Sequence, residues 1–80
     1  MSAGQSIARA RAAAGMSLQQ LSDATKMRAS IIAAMEADDF SLCGGTFYAR
    51  GQLRMMAPIL VLDPQALVEE FDQTSQGLDY

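Results

Sequence analysis

Residues 17–36 constrain this chain more than any other stretch. They read SLQQLSDATKMRASIIAAME and specify two short helices with almost nothing between them. Ser17 is a helix N-cap whose hydroxyl accepts a first-turn backbone N–H. Gln20 stands three residues on and completes a capping box, while Met16 and Leu21 fill the two positions of a hydrophobic staple. The first helix therefore starts at Leu18 and turns Leu18 and Leu21 inward. Ala24, Thr25, Lys26 and Met27 carry no sustained apolar pattern and read as a turn. A second helix starts near Arg28 or Ala29, with Ile32 and Met35 three apart on one face. Two short helices joined in this way form a helix-turn-helix unit.

The flanks are helical too. Residues 5–14 are rich in alanine and arginine and place Ile7, Ala10 and Ala14 on one face, with Gly15 where a left-handed C-cap favours glycine. Residues 1–4 are expected to be a flexible, frayed N-terminus. Asp38 and Asp39 mark the exit from the second helix of the pair, and residues 40–45 read as a loop closed by Gly44 and Gly45. Thr46 then caps a fourth helix, in which Ala49, Leu53, Met56 and Leu60 recur at intervals of four, three and four. Gly51 lies inside it; the expectation is close approach by a neighbouring helix, since glycine there otherwise destabilises by about 1 kcal/mol relative to alanine. Pro58 cannot donate to the carbonyl of Arg54, so this helix kinks or ends nearby. Asp63 and Pro64 restart the chain as N-cap and first helical residue, and Leu67, Val68 and Phe71 form the inner face of the last helix. The pattern predicts an all-α fold of five helices over residues 5–73 and a flexible C-terminal tail over 74–80. Its core is expected to rest on Leu21, Ile32, Met35, Leu53 and Phe71.

Eighty residues make one small domain, stable by about 4–12 kcal/mol at typical values per residue. The net charge of −3 is unevenly spread. Arg9, Arg11, Lys26 and Arg28 against Asp23 leave the first 35 residues basic, and the remainder is acidic. That balance argues against a general polyanion binder while keeping a local phosphate-binding patch open. The chain contains one cysteine and no histidine. No intrachain disulfide can form, which fits a reducing compartment, and Cys43 has no histidine base to activate it as a nucleophile. Asp38 and Asp39 lack the surrounding oxygen ligands of a cation cage. No catalytic constellation is present; the chain reads as a non-enzyme with no cofactor and no small-molecule substrate. The longest apolar run, residues 55–62, is broken by Pro58 and falls far short of the ~20 residues of a membrane helix. The chain as given is expected to be soluble and cytoplasmic, either free or on the cytoplasmic side of a membrane-anchored protein.

Tyr48, Ala49, Arg50 and Gly51, followed by Leu53 and Arg54, and then Leu62, Asp63 and Pro64 with Glu70 and Phe71, carry a resemblance. From Ile7 to Phe71 the chain resembles the cytoplasmic helix-turn-helix domain of the RodZ cell-shape proteins, a branch of the lambda-repressor-like, XRE-type fold. It departs from that pattern at Gln52, where an aromatic residue is usual, at Met56, usually tyrosine, at Cys43, often proline, and at Pro58, often basic. The resemblance implies a five-helix lambda-repressor-like domain, tethered to a membrane-spanning helix outside this sequence. It further implies docking onto the actin-like filament protein MreB, or another cell-shape or cell-division protein, through the surface around the fourth helix.

Two functions follow from different features. Phe47, Tyr48, Arg50 and Arg54 are the candidate protein-binding residues, because aromatic and arginine side chains are favoured hot spots; the alternative puts one of the two rings in the core and pairs the arginines with Glu69, Glu70 or Asp72. Arg9, Arg11, Lys26, Arg28 and Ser30 are the candidate DNA-binding residues of an XRE-type transcriptional regulator. Against the second reading, Ala29, Ala33 and Ala34 face outward with Ser30 on the second helix of the pair, and alanine offers no hydrogen-bonding group to a base edge. DNA binding through four basic contacts is expected to be weak and largely indifferent to sequence, with a log–log salt slope of about −3.6.

Overall fold

Most helix boundaries have an identifiable chemical cause. The computed structural model describes residues 1–74. Its helices are α1 Ala3–Ala13, α2 Leu18–Thr25, α3 Ala29–Glu36, α4 Thr46–Ile59 and α5 Pro64–Thr74, with a 3₁₀ turn at Ser41–Cys43 before α4. No strand occurs among the described residues. The expected tail falls outside them, apart from residue 74.

The capping box at the start of α2 forms as the sequence predicts: the Gln20 N–H donates to Ser17 Oγ at 3.0 Å, and the Ser17 N–H donates to Gln20 Oε1 at 2.8 Å. The same device operates at Ser2 and Gln5, both bonds being 3.1 Å. Helix α1 therefore begins at Ala3, and the expectation of a frayed end through residue 4 is corrected: Ala3 and Gly4 are buried. Helices α1, α3 and α4 end alike. Gly15, Asp38 and Val61 take left-handed conformations with φ of 68°, 63° and 58°. The next N–H then reaches back to a carbonyl of the last turn, Met16 to Arg11 at 3.0 Å, Asp39 to Ala34 at 2.9 Å and Leu62 to Ala57 at 2.7 Å.

Helix α2 runs two residues further than the sequence pattern indicates. Buried Thr25 is helical and satisfies its hydroxyl by donating to the Leu21 carbonyl at 2.8 Å, and the turn falls at left-handed Lys26 and at Met27, whose carbonyl accepts from Ser22 Oγ. Gly45, not Thr46, occupies the N-cap of α4. The loop before it is organised by Asp39, whose carboxylate accepts from Ser41 Oγ at 2.6 Å and Ser41 N–H at 3.0 Å, and these bonds hold its pKa below the usual carboxylate value. Asp63 caps α5 through the Gln65 N–H at 3.1 Å.

These starts and stops aim the apolar faces at one core. It joins Ile7 of α1, Leu21 of α2, Ile32 and Met35 of α3, the Ala49, Leu53 and Met56 stripe of α4 with Leu60 at its C-cap, and Leu67, Val68 and Phe71 of α5. Phe40 closes it by packing edge-on to Phe71, with ring centroids 4.8 Å apart. Ala14 takes no part and is exposed at the end of α1.

The two glycines within helices have opposite environments. A Cβ on Gly4 would lie 2.5 Å from the Met35 carbonyl oxygen and 2.8 Å from that of Glu36, so α1 crosses the end of α3 at backbone contact. A Cβ on Gly51 would meet nothing within 4 Å. The expected close approach at Gly51 is thus corrected; it belongs to Gly4.

Leu21→Ala and Leu53→Ala should each lower stability by about 2–5 kcal/mol in urea unfolding. Gly4→Ala should also destabilise the domain, whereas Gly51→Ala should stabilise it by about 0.5–1 kcal/mol. Unchanged midpoints for the leucine variants, or the same sign at both glycines, would contradict this packing.

Candidate interaction surfaces

Because Ala49, Leu53 and Met56 take the inward side of α4, positions 47, 50, 51 and 54 fall on its outward side. Phe47 is 78% exposed and Tyr48 61%, and their rings stack edge to face at 5.5 Å. Neither enters the core, where Phe40 and Phe71 supply the aromatic packing. Arg50 Nε lies 2.8 Å from Asp72 Oδ1 on α5, an ion pair at the protein surface. Arg54 is exposed one turn further on. Phe47 and Arg54 thus share the outward side of α4, with Tyr48 on one flank and Arg50, turned toward α5, on the other.

The candidate DNA contacts divide. Lys26 and Arg28 line an open concavity of about 510 Å³ with Ser22, Asp23 and Met27, at the turn between α2 and α3. Arg28 is the N-cap of α3 and makes no side-chain capping bond there, and Ser30 is exposed in the first turn. Arg9 is exposed on α1 but does not line this concavity. Arg11 is committed elsewhere. Its Nε and Nη2 donate to the Glu36 carboxylate at 2.7 and 3.0 Å, and its Nη1 donates to the Met16 carbonyl at 3.0 Å. The carboxylate raises the Arg11 pKa further above its already high value. Of the remaining α3 surface, Ala33 is exposed and Ala29, Ile31 and Ala34 are half-buried.

Sequence reasoning missed a cleft of about 340 Å³ between the exit of α3 and the start of α4, whose lining includes Asp38, Asp39, Phe40, Thr46, Ala49 and Phe71. Its one local signal was an aromatic residue directly after two aspartates. Nearby Cys43 is buried, and desolvation followed by the charge of Asp39 pushes its pKa up, so the thiol holds its proton. No group of three metal-ligating side chains occurs among the described residues, and no described helix is long and apolar enough to cross a membrane.

Five helices with the helix-turn-helix at α2 and α3, and further helices packed on either side, define a small all-α domain of lambda-repressor-like architecture. The family of helix-turn-helix domains matches residues 6–67, and the chain belongs to that family. The cytoskeleton protein RodZ of Streptococcus pneumoniae is 35% identical over 72 residues, which are 90% of this chain and 26% of that protein, and the domain is RodZ-like. The chain thus spans about a quarter of the length of that relative. No solved structure matches.

With Arg11 held by Glu36, three basic residues remain for phosphate. Duplex binding should therefore follow a salt slope of about −2.7, at ~0.9 per contact. Arg11→Ala should destabilise the fold and leave that slope unchanged, while Lys26→Ala or Arg28→Ala should each flatten it by about 0.9. Fluorescence anisotropy across a salt series measures both; a flatter slope in Arg11→Ala would return that residue to the DNA surface.

Proposed function

We propose that this chain is a cytoplasmic, non-enzymatic interaction domain that binds a cytoskeletal or cell-shape protein at or near a membrane, through the outward surface of α4. The carrying observation is the exposed, mutually stacked pair Phe47 and Tyr48, flanked by Arg50 and Arg54. Adjacent exposed aromatic side chains beside arginine are the residue types most often found at the energetic centre of protein contacts. Covering the two rings would remove on the order of 200–300 Å² from water, a gross gain of roughly 5–8 kcal/mol before the entropy of association is subtracted. The stacking and the short aromatic side chains limit the freedom lost on docking, and the Asp72 pair pre-orients Arg50.

The similarity to a cytoskeleton protein makes an actin-like filament such as MreB the first partner to test. A tether to the membrane would come from sequence outside this chain. The α3 surface supports a scaffold better than a reader of bases, since Ser30 and Arg28 are its exposed polar contributions and Ala33 offers none.

The test is co-sedimentation of the 80-residue chain with filaments of the actin-like protein from the same cell. Tyr48→Ala combined with Arg54→Ala should reduce binding at least tenfold while helical circular dichroism is retained. Binding that survives this pair but is lost on substituting Arg28 and Ser30 would move the contact to the helix-turn-helix surface.

A further inference from the structure

Gly51 has no explanation within the described domain. Its φ is not in the positive range that favours glycine, and a Cβ added to it would touch no atom within 4 Å. Glycine in a helix interior nevertheless weakens the helix relative to alanine. Positions 47, 50, 51 and 54 are i, i+3, i+4 and i+7, the four corners of the hole that receives a knob side chain from a facing helix. Phe47 and Arg54 are exposed at two of those corners, and Arg50 is steadied from the side by Asp72. Gly51 leaves bare backbone at the fourth, which deepens the hole. Helix α4 bears Arg50 and Arg54 and no acidic residue, although the chain as a whole carries −3.

The geometry points to one kind of occupant: an acidic amphipathic α-helix of a protein partner, crossing α4 at Gly51. Its leucine or phenylalanine knob sits in the hole against Phe47 and the Gly51 backbone, and an aspartate or glutamate one turn along its own axis faces Arg54. This rests on the reading of α4 as the contact surface and adds what docks there and where it crosses. Backbone-to-backbone approach at Gly51 fixes the crossing point, the Phe47 ring walls the knob, and the guanidinium of Arg54 selects against a basic helix.

Two synthetic helical peptides of about 20 residues provide the probe, long enough to hold helix in water when rich in alanine. Both carry a central leucine; one flanks it with glutamates, the other with lysines. Titrated into the isotopically labelled 80-residue chain, the acidic peptide should move the amide resonances of residues 47–54 saturably, and the basic peptide should not. Gly51→Ala should bind the acidic peptide about tenfold more weakly, because a methyl group fills the hole, while its melting temperature stays level or rises. Arg54→Glu should exchange the preference between the two peptides. Absence of a saturable shift with the acidic peptide, or equal affinity for wild type and Gly51→Ala, overturns the inference. Co-sedimentation separates it from the broader reading. Filament binding lost in the Tyr48 and Arg54 double variant but undiminished in Gly51→Ala keeps α4 as the surface and removes the helix crossing. Acidic-peptide binding by a chain that ignores the filament keeps the crossing and removes that partner.

Discussion

Glu36 and Asp38, at the end of an eight-residue helix, hold α1 in place. Arg11 reaches from α1 to make two bonds with the Glu36 carboxylate and a third with the Met16 carbonyl in the turn before α2. At the other end of α1, the Gly4 N–H donates to Asp38 Oδ1 at 3.0 Å, where glycine alone permits the approach. The Arg11 and Glu36 side chains are 22% and 12% exposed, between a solvated pair and a buried one. Hydrogen bonds to charged groups in such surroundings contribute roughly 1.5–3 kcal/mol, a sizeable fraction of the stability of an 80-residue domain. Helices as short as α2 and α3 do not persist alone. With α1 fastened across the end of α3, Ile32 and Met35 face the same core as Leu21 of α2.

That arrangement explains which features of the fold were legible in the sequence. Local chemistry was: the Ser17 and Gln20 capping box, the Gly15 stop, the Asp63 and Pro64 restart and the α4 stripe all act within about one helical turn, so their spacing carries the information. The Ser2 and Gln5 box was equally legible, since it repeats the Ser17 and Gln20 spacing; proximity to the chain end masked it. Long-range partners were not. Arg11 and Glu36 lie 25 residues apart and Gly4 and Asp38 lie 34 apart, and no local pattern announces either pair. The same limit reversed the roles of Gly4 and Gly51. Glycine in a helix signals a missing Cβ, but only the fold says whether another backbone fills the space.

The candidate site followed the same rule. The helical phase fixed by Ala49 and Leu53 turns Phe47 outward but leaves Tyr48 on the flank, so the sequence left open whether one of the two rings would enter the core. Phe40 does so from an irregular loop, where no period applies, and its packing on Phe71 leaves the α4 pair free of that duty. Arg11 left the basic cluster for a similar reason. A guanidinium facing a half-buried carboxylate across two helices is worth more to the fold than a solvated charge, and its planar fork suits that use.

Unfavourable features in a marginally stable domain tend to gather where function opposes folding. Left-handed Lys26 and Asp38 flank α3, and several others lie on or just past α4. Phe47 and Tyr48 leave apolar rings in water, and Gly51 weakens the helix without any internal contact in return. Val61, 88% exposed, holds a β-branched side chain in the left-handed region just past the C-terminus of α4, where an L-residue is disfavoured by roughly 1–2 kcal/mol. The outward side of α3 shows no comparable tension: alanine and serine there are neutral to the fold and poor at reading bases. A helix-turn-helix that read bases through α3 would present long polar side chains there, which this α3 does not. Under the proposed reading, the helix-turn-helix is the frame that orients α4, and the contact lies beside the exposed rings and the unexplained glycine.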